Sequence, residues 1–220
     1  AARRNRAISD CYEPGSTLKA LLVAAALDSE QVRLQDRIFC EYGGYRVGRH
    51  TIHDVHPYGD LSVSQILIKS SNIGAVKIGQ RLGKERYYQY LQGFGFGQLT
   101  GIDLPGEFAG ILPALQNWSR IKLVTASFGQ GVAVTPLQLA SAYAVLANDG
   151  MLMRPYLVSE VLNVKGDVVY ANSPTLLRQV IRPETAQQML ALLEHVVEPG
   201  GTGWRAQIEG FRVAGKTGTS

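Results

Sequence analysis

The sequence predicts an α+β fold that is mainly helical from residue 16 to 148 and mixes strand with helix from 151 onward. Three observations carry this. Between 16 and 148 apolar residues recur at helical spacing, in segments opened by Thr135-Pro136 and closed by Gly83 and by Asn148-Asp149-Gly150. After Met151 two β-branched runs flank the turn Lys165-Gly166-Asp167. The chain has 220 residues, 45% of them hydrophobic and 18% charged, enough to bury the core of one large domain or two interleaved subdomains.

Taken in order, Pro14 and Gly15 end whatever precedes them, and 16–27 reads as one apolar helix. Residues 28–34 are polar and mark a turn region. Runs at 37–39 and 45–47 flank Gly43-Gly44 and read as a small hairpin. His50, His53 and His56 follow; Thr51, Ile52 and Val55 favour a strand, whose alternation turns His53 away from the other two and argues against a metal site. Residues 61–71 predict a helix capped by Ser62 or Ser64, delivering Ser70 and Asn72 at its C-terminal end. Helices at 73–82 and 84–91 come next. Gly93-Phe94-Gly95-Phe96-Gly97 lacks the spacing and context of a phosphate loop and reads as a turn. Residues 101–113 are loop, 118–128 helix, 130–135 extended, and 137–146 a buried helix. Then come a hairpin of 156–164 with 168–170, an amphipathic helix over 182–198 entered at Pro183, a Gly-rich loop at 200–203, and a strand at 211–214 running into Lys216.

The chemistry centres on Ser16-Thr17-Leu18-Lys19. Residues three apart share a helix face, so a hydroxyl and an amine can meet. Serine is a poor nucleophile without an adjacent base, and lysine serves as one only if its pKa is pulled down, by the positive end of the helix dipole or a second cation nearby. Ser-x-x-Lys alone is weak, but Ser70-Ser71-Asn72 lies 54 residues downstream and Lys216-Thr217-Gly218-Thr219 lies 200 residues downstream. This ordered triple resembles the penicillin-binding protein and serine β-lactamase superfamily. Glu13-Pro14-Gly15-Ser16, Gly101-Ile102-Asp103-Leu104-Pro105-Gly106-Glu107, Ala126-Ser127-Phe128-Gly129-Gln130-Gly131 and Val134-Thr135-Pro136-Leu137-Gln138 resemble the transpeptidase domain of class B penicillin-binding proteins. Asn72 at the end of the second motif, with 110–113 and Trp118, resembles the division-specific (septal) branch.

The resemblance implies an all-helical subdomain (16–150) inserted in an α/β sandwich of antiparallel sheet and helices (1–15 and 151–220), with the active site in the cleft between them. It implies acyl transfer: Ser16 as nucleophile, Lys19 as base, Ser70 as proton relay, Asn72 orienting Lys19 or the substrate amide, and Lys216 supplying positive charge. Thr217 and Thr219 would bind a carboxylate, Gly218 would admit the substrate, and the backbone amides of Ser16 and Thr219 would form the oxyanion hole. Peptidoglycan stem peptides are the implied substrates and β-lactams the implied pseudo-substrates, with no cofactor or metal. Through the full-length protein a glycan polymerase and other division proteins are implied partners, on the extracytoplasmic face of the membrane and anchored by a segment ahead of this chain. The family also continues beyond Ser220 with two strands and a helix, so 211–220 is expected to be an edge strand or poorly ordered, with the cleft open on that side. Glu107 sits in a loop where a hydrolytic glutamate is conceivable, but its surroundings match the transpeptidase pattern. A β-lactamase, a β-lactam sensor and a non-catalytic division scaffold are the alternatives.

Composition narrows the rest. Net charge is +4, and only Arg3-Arg4-Asn5-Arg6 concentrates it, so a solvated surface is favoured over nucleic-acid binding. No apolar run reaches the roughly 18 residues of a membrane span. Cys11 and Cys40 read as core residues rather than a bridge.

Overall fold

The computed structural model describes residues 4–218. A short helix α1 (Arg6–Ser9) and a 3-10 turn at Gly15–Thr17 lead into α2 (Leu18–Asp28), followed by β1 (Arg37–Phe39), β2 (Gly44–Val47), β3 (His50–His53) and β4 (Asp60–Ser62). Then come α3 (Val63–Ile68), α4 (Asn72–Leu82), α5 (Lys84–Gly93), α6 (Arg120–Ala126) and α7 (Pro136–Ala147). The last part holds β5 (Met151–Met153), β6 (Glu160–Leu162), β7 (Val168–Ala171), β8 (Leu176–Gln179) and α8 (Pro183–Val197). This is the expected α+β class. Among the described residues the strands pair antiparallel in four two-stranded ladders: β1–β4, β2–β3, β5–β8 and β6–β7.

The core is built on α2. Every residue from Leu18 to Leu27 is buried, because Leu, Val and Ala occupy all faces rather than one stripe. α4 and α8 pack directly on it. Its last residue, Asp28, ties three elements together: it accepts from the Tyr90 hydroxyl of α5, and at the start of α8 from the Arg182 amide and the Thr185 hydroxyl. Helix starts follow the capping expectations. Ser62 and Thr135 each form a reciprocal box, with Gln65 and Gln138 respectively.

Three expectations are corrected. Residues 37–39 do not pair with 45–47: β1 pairs with β4, and the hairpin is β2–β3, whose register sets Val47 opposite His50. Asn72 does not sit at the C-terminal end of a 61–71 helix, because α3 stops at Ile68 and Asn72 opens α4. Residues 211–214 form no strand; 212–218 lie in no ladder among the described residues and are held by tethers to α8. There Gly215 donates its amide to Leu193 O at 3.2 Å, and the Arg212 guanidinium straddles the Glu194 carboxylate at 2.7 and 3.2 Å. Cys11 and Cys40 are free thiols.

Candidate active site

The turn carrying Ser16 is clasped from the 129–134 side. Gly15 donates its amide to Gly129 O at 3.0 Å, and Tyr12 bridges Val134. Glu13 accepts the Gly131 amide at 2.7 Å. Gly129 has φ +85°, and a Cβ there would fall 1.9 Å from Gly15 O, so only glycine lets the two backbones touch. Below the turn, the Tyr143 hydroxyl of α7 donates to Thr17 O at 2.8 Å. Ser16 itself is half-buried and lines the cleft, and its Oγ has no hydrogen-bond partner among the described residues.

One turn along, Lys19 points into the core and is 1% exposed. Its Nζ contacts Ser70 O at 2.6 Å, Asn72 Oδ1 at 2.7 Å and Ser70 Oγ at 3.2 Å. Burial among apolar side chains, then the nearby charge of Lys216, lower its pKa to about 7, against an opposing pull from Asp54. The Asn72 amide is oriented from its other end, since its Nδ2 donates to His53 O at 2.9 Å.

Ser70 occupies the junction between α3 and α4 with φ +57°, a left-handed conformation that costs a non-glycine residue about 1–2 kcal/mol. Ser71, the middle residue of its motif, has a structural role. It is the buried N-cap of α4, accepting from the Gly74 amide at 2.9 Å and donating to Asp54 at 2.6 Å.

Lys216 reaches the same hydroxyl from the other side, its Nζ 2.9 Å from Ser70 Oγ and 3.0 Å from Thr217 O. Partial burial lowers its pKa to about 8. Thr217 hydrogen-bonds Thr202 of the Gly-rich loop, Oγ to Oγ at 3.0 Å. Gly218 lies against the nucleophile's turn, where a Cβ would come 3.0 Å from the Thr17 methyl. Thr219, expected to complete the oxyanion hole, lies outside the described residues.

Lys19, Ser70, Asn72, Lys216 and Thr217 therefore form one hydrogen-bonded cluster. Ser16, Ser70, Asn72 and Thr217 line a cleft of ≈ 960 Å³, together with His56 and Tyr58 among others. Sequence reasoning missed Asp54, Thr202 and Tyr143. None sits in a recognisable motif, and each acts on a residue 15 to 126 positions away. The arrangement sets the Ser16 hydroxyl on the cleft wall one turn from a buried amine whose pKa is lowered, with a second lysine amine on the far side of Ser70; Lys19 hydrogen-bonds Ser70 and Asn72, and Ser16 is not among its partners. Glu107 lies elsewhere: its carboxylate accepts the Thr100 amide and hydroxyl and the Gly101 amide, stapling the 100–107 loop. Among the described residues no cluster of His, Cys, Asp or Glu is placed to hold a metal ion.

Known proteins resemble this chain over nearly its whole length. The family model described as the penicillin binding protein transpeptidase domain matches residues 2–220. Stage V sporulation protein D of Bacillus subtilis is 41% identical over 220 residues, covering 99% of this chain and 34% of that protein. Peptidoglycan D,D-transpeptidase FtsI of Escherichia coli is 38% identical over 220 residues, covering 100% of this chain and 35% of its own length. The chain thus spans about a third of these relatives. Penicillin-binding protein 3 of Mycobacterium tuberculosis, solved with aztreonam, superposes with a TM-score of 0.91 at 34% identity, covering 98% of this chain and 50% of that one. On the motif order, the fold and these matches together, this chain belongs to the penicillin-binding protein transpeptidase domain family.

Proposed function

We propose that this chain is a serine D,D-transpeptidase domain that cross-links peptidoglycan stem peptides through an acyl-enzyme on Ser16, is acylated by β-lactams, and serves septal cell-wall synthesis. The observation that carries the reading is the sharing of Ser70 Oγ by two lysines whose pKa values are lowered to about 7 and about 8.

Counting hydrogens gives the roles. Ser70 O and Asn72 Oδ1 can only accept, so a neutral Lys19 amine uses its two hydrogens on them and has its lone pair left for a hydroxyl. That lone pair takes the Ser16 proton as Oγ attacks the substrate carbonyl. Lys216, in its charged form, donates to Ser70 Oγ, which fixes the Ser70 hydrogen for delivery toward Lys19 or the leaving amine. When the amide C–N bond breaks, the proton held on Lys19 passes through Ser70 to the departing amine, and Ser16 holds the acyl group as an ester. An amine on a second stem peptide then attacks that ester, and Ser16 regains its proton. Thr217, with Thr202 beside it, offers hydroxyls for the substrate carboxylate.

Hydrolysis by Glu107 finds no support, since that carboxylate is committed to its own loop and is not part of the cleft wall. The parent protein's site on the extracytoplasmic face, its anchor and its association with a glycan polymerase are proposed on the family resemblance.

The test is intact-mass spectrometry after incubation with a penicillin. The whole drug mass is expected on the protein, located at Ser16 by peptide mapping and lost in Ser16→Ala. An adduct that persists in Ser16→Ala overturns the assignment.

A further inference from the structure

Asp54 follows β3 in the His-rich stretch and reaches the start of α4 with both carboxylate oxygens. Oδ2 accepts from Ser71 Oγ at 2.6 Å, while Oδ1 accepts the amides of Asn72 and Ile73, the latter at 3.1 Å. Next to it His53 O holds the Asn72 side-chain amide. Two adjacent residues thus fix the backbone, the cap and the side chain that opens α4. From the other side α3 supplies Leu67 O to the Ser70 amide and Ile66 O to the Ser71 amide. Ser70 is caught between these two sets of bonds in its left-handed conformation, which aims both its carbonyl and its hydroxyl at Lys19. A strained residue persists only where its surroundings over-determine it, and here Asp54 supplies the bonds on the α4 side.

We propose that Asp54 is a positioning residue for the Ser16 chemistry: its carboxylate, seated on Ser71 and the first two amides of α4, sets where Ser70 and Asn72 meet the Lys19 amine. The proposal rests on the acyl-transfer reading of the site. A residue that merely caps a helix would affect stability alone. Asp54 is also charged and close enough to act on the base. The charges facing Lys19 are Lys216 from the C-terminal segment and Asp54, and they act in opposite directions: Lys216 favours the neutral amine and Asp54 disfavours it. Cys40 and Tyr58 also feel Asp54, both raised, first by burial and further by Asp54 itself, and therefore neutral near pH 7, while His53 adjoins it in the chain and His56 packs on Tyr58. Asp54 thus aids the reaction by geometry while opposing it by charge, and removing it separates the two effects.

The experiment compares wild type with Asp54→Asn and Asp54→Ala across pH 5.5–9. Penicillin acylation is followed by intact mass, and Lys19 is titrated by NMR of ¹³C-labelled lysine side chains, assigned with Lys19→Ala. In Asp54→Ala the maximal acylation rate should fall about 10–10²-fold, the scale of a misplaced catalytic group. Asp54→Asn, which keeps one acceptor for the α4 amides, should recover part of that rate. In both, the acid limb and the Lys19 midpoint should move to lower pH, so the deficit shrinks as pH falls below 7. Asp54→Asn that folds with the wild-type Lys19 midpoint, or with the wild-type maximal rate, overturns the proposal. Wild type taking up no penicillin at any pH overturns the acyl-transfer reading instead, and the NMR midpoint then decides on Asp54.

Discussion

Replacing Lys216 by alanine tests the two-lysine arrangement most sharply. In the proposed mechanism the reactive state needs Lys19 neutral and Lys216 charged. With midpoints of about 7 and about 8, the fraction in that state peaks near pH 7.5 at about 0.6 and falls to about 0.1 at pH 6 and at pH 9. Wild type should therefore show a bell-shaped pH dependence of penicillin acylation, its limbs belonging to the coupled pair. Lys216→Ala removes the second lysine and with it the alkaline limb. It also removes a charge that holds the Lys19 pKa down, so the acid limb must move to higher pH. It will not return to the ordinary lysine value, because burial, the larger cause, is untouched. Each pH unit of that movement is worth about 1.4 kcal/mol. The first lowers the neutral fraction of Lys19 at pH 7 from about one-half to about one-eleventh, roughly a fivefold loss of rate. Raising the pH to 9 should recover this electrostatic part in full. Whatever deficit persists at pH 9 measures the lost hydrogen bond to Ser70 and the lost contact with substrate. The assay is the second-order acylation rate by stopped intact-mass sampling across pH 5.5–9.5. An acid limb at or below the wild-type position in Lys216→Ala refutes the electrostatic reasoning.

Two further outcomes are expected. Tyr143→Phe removes the hydroxyl that supports Thr17 O, and should cost about 1 kcal/mol by thermal melting while slowing acylation, since the Ser16 turn loses a support; an unchanged acylation rate would show that the 129–134 contacts suffice. Glu107→Gln should lower the melting temperature through the 100–107 loop yet leave the lifetime of the penicillin adduct unchanged, and a markedly longer-lived adduct would instead identify Glu107 as a deacylating base.

Much of this site was legible because its parts are local. Ser16 and Lys19 lie on consecutive turns, Ser62 and Thr135 announce helix starts by their own side chains, and Gly83 and Gly150 announce ends. What escaped notice was non-local or backbone-mediated. Asp54 recognises main-chain amides 18 and 19 residues on, which leave no side-chain signature. The left-handed conformation of Ser70 is imposed by its neighbours, and serine does not advertise it. β5 and β8 are three and four residues long and meet across 22 intervening residues, too short for alternation to declare a pair. The supposed strand at 211–214 had the right composition, but a strand is defined by a partner, and α8 holds this segment instead.

The apolar character of α2, which reads at first as ordinary core, is what lowers the Lys19 pKa and fits it for the proposed role of base. A lysine on an amphipathic surface helix keeps its charge in water. Here all of 18–27 is buried, so the amine has only the Ser70 and Asn72 oxygens in place of solvent. Those oxygens must arrive close to α2, and that depends on how α4 is packed. Gly74 and Gly79 lie inside α4, where each costs about 1 kcal/mol relative to alanine. A Cβ at Gly74 would fall 2.5 Å from Ile66, and one at Gly79 would fall 2.1 Å from the Ser127 hydroxyl and 3.8 Å from Leu22 of α2. Neither position has room to recover that cost. Alanine at either one would force Ile66 of α3, Ser127 after α6, or α4 itself to shift, and a shift of α4 would carry Asn72 with it. The placement of Asn72 against Lys19 thus depends on two spaces in the helical core that are too small for a methyl group.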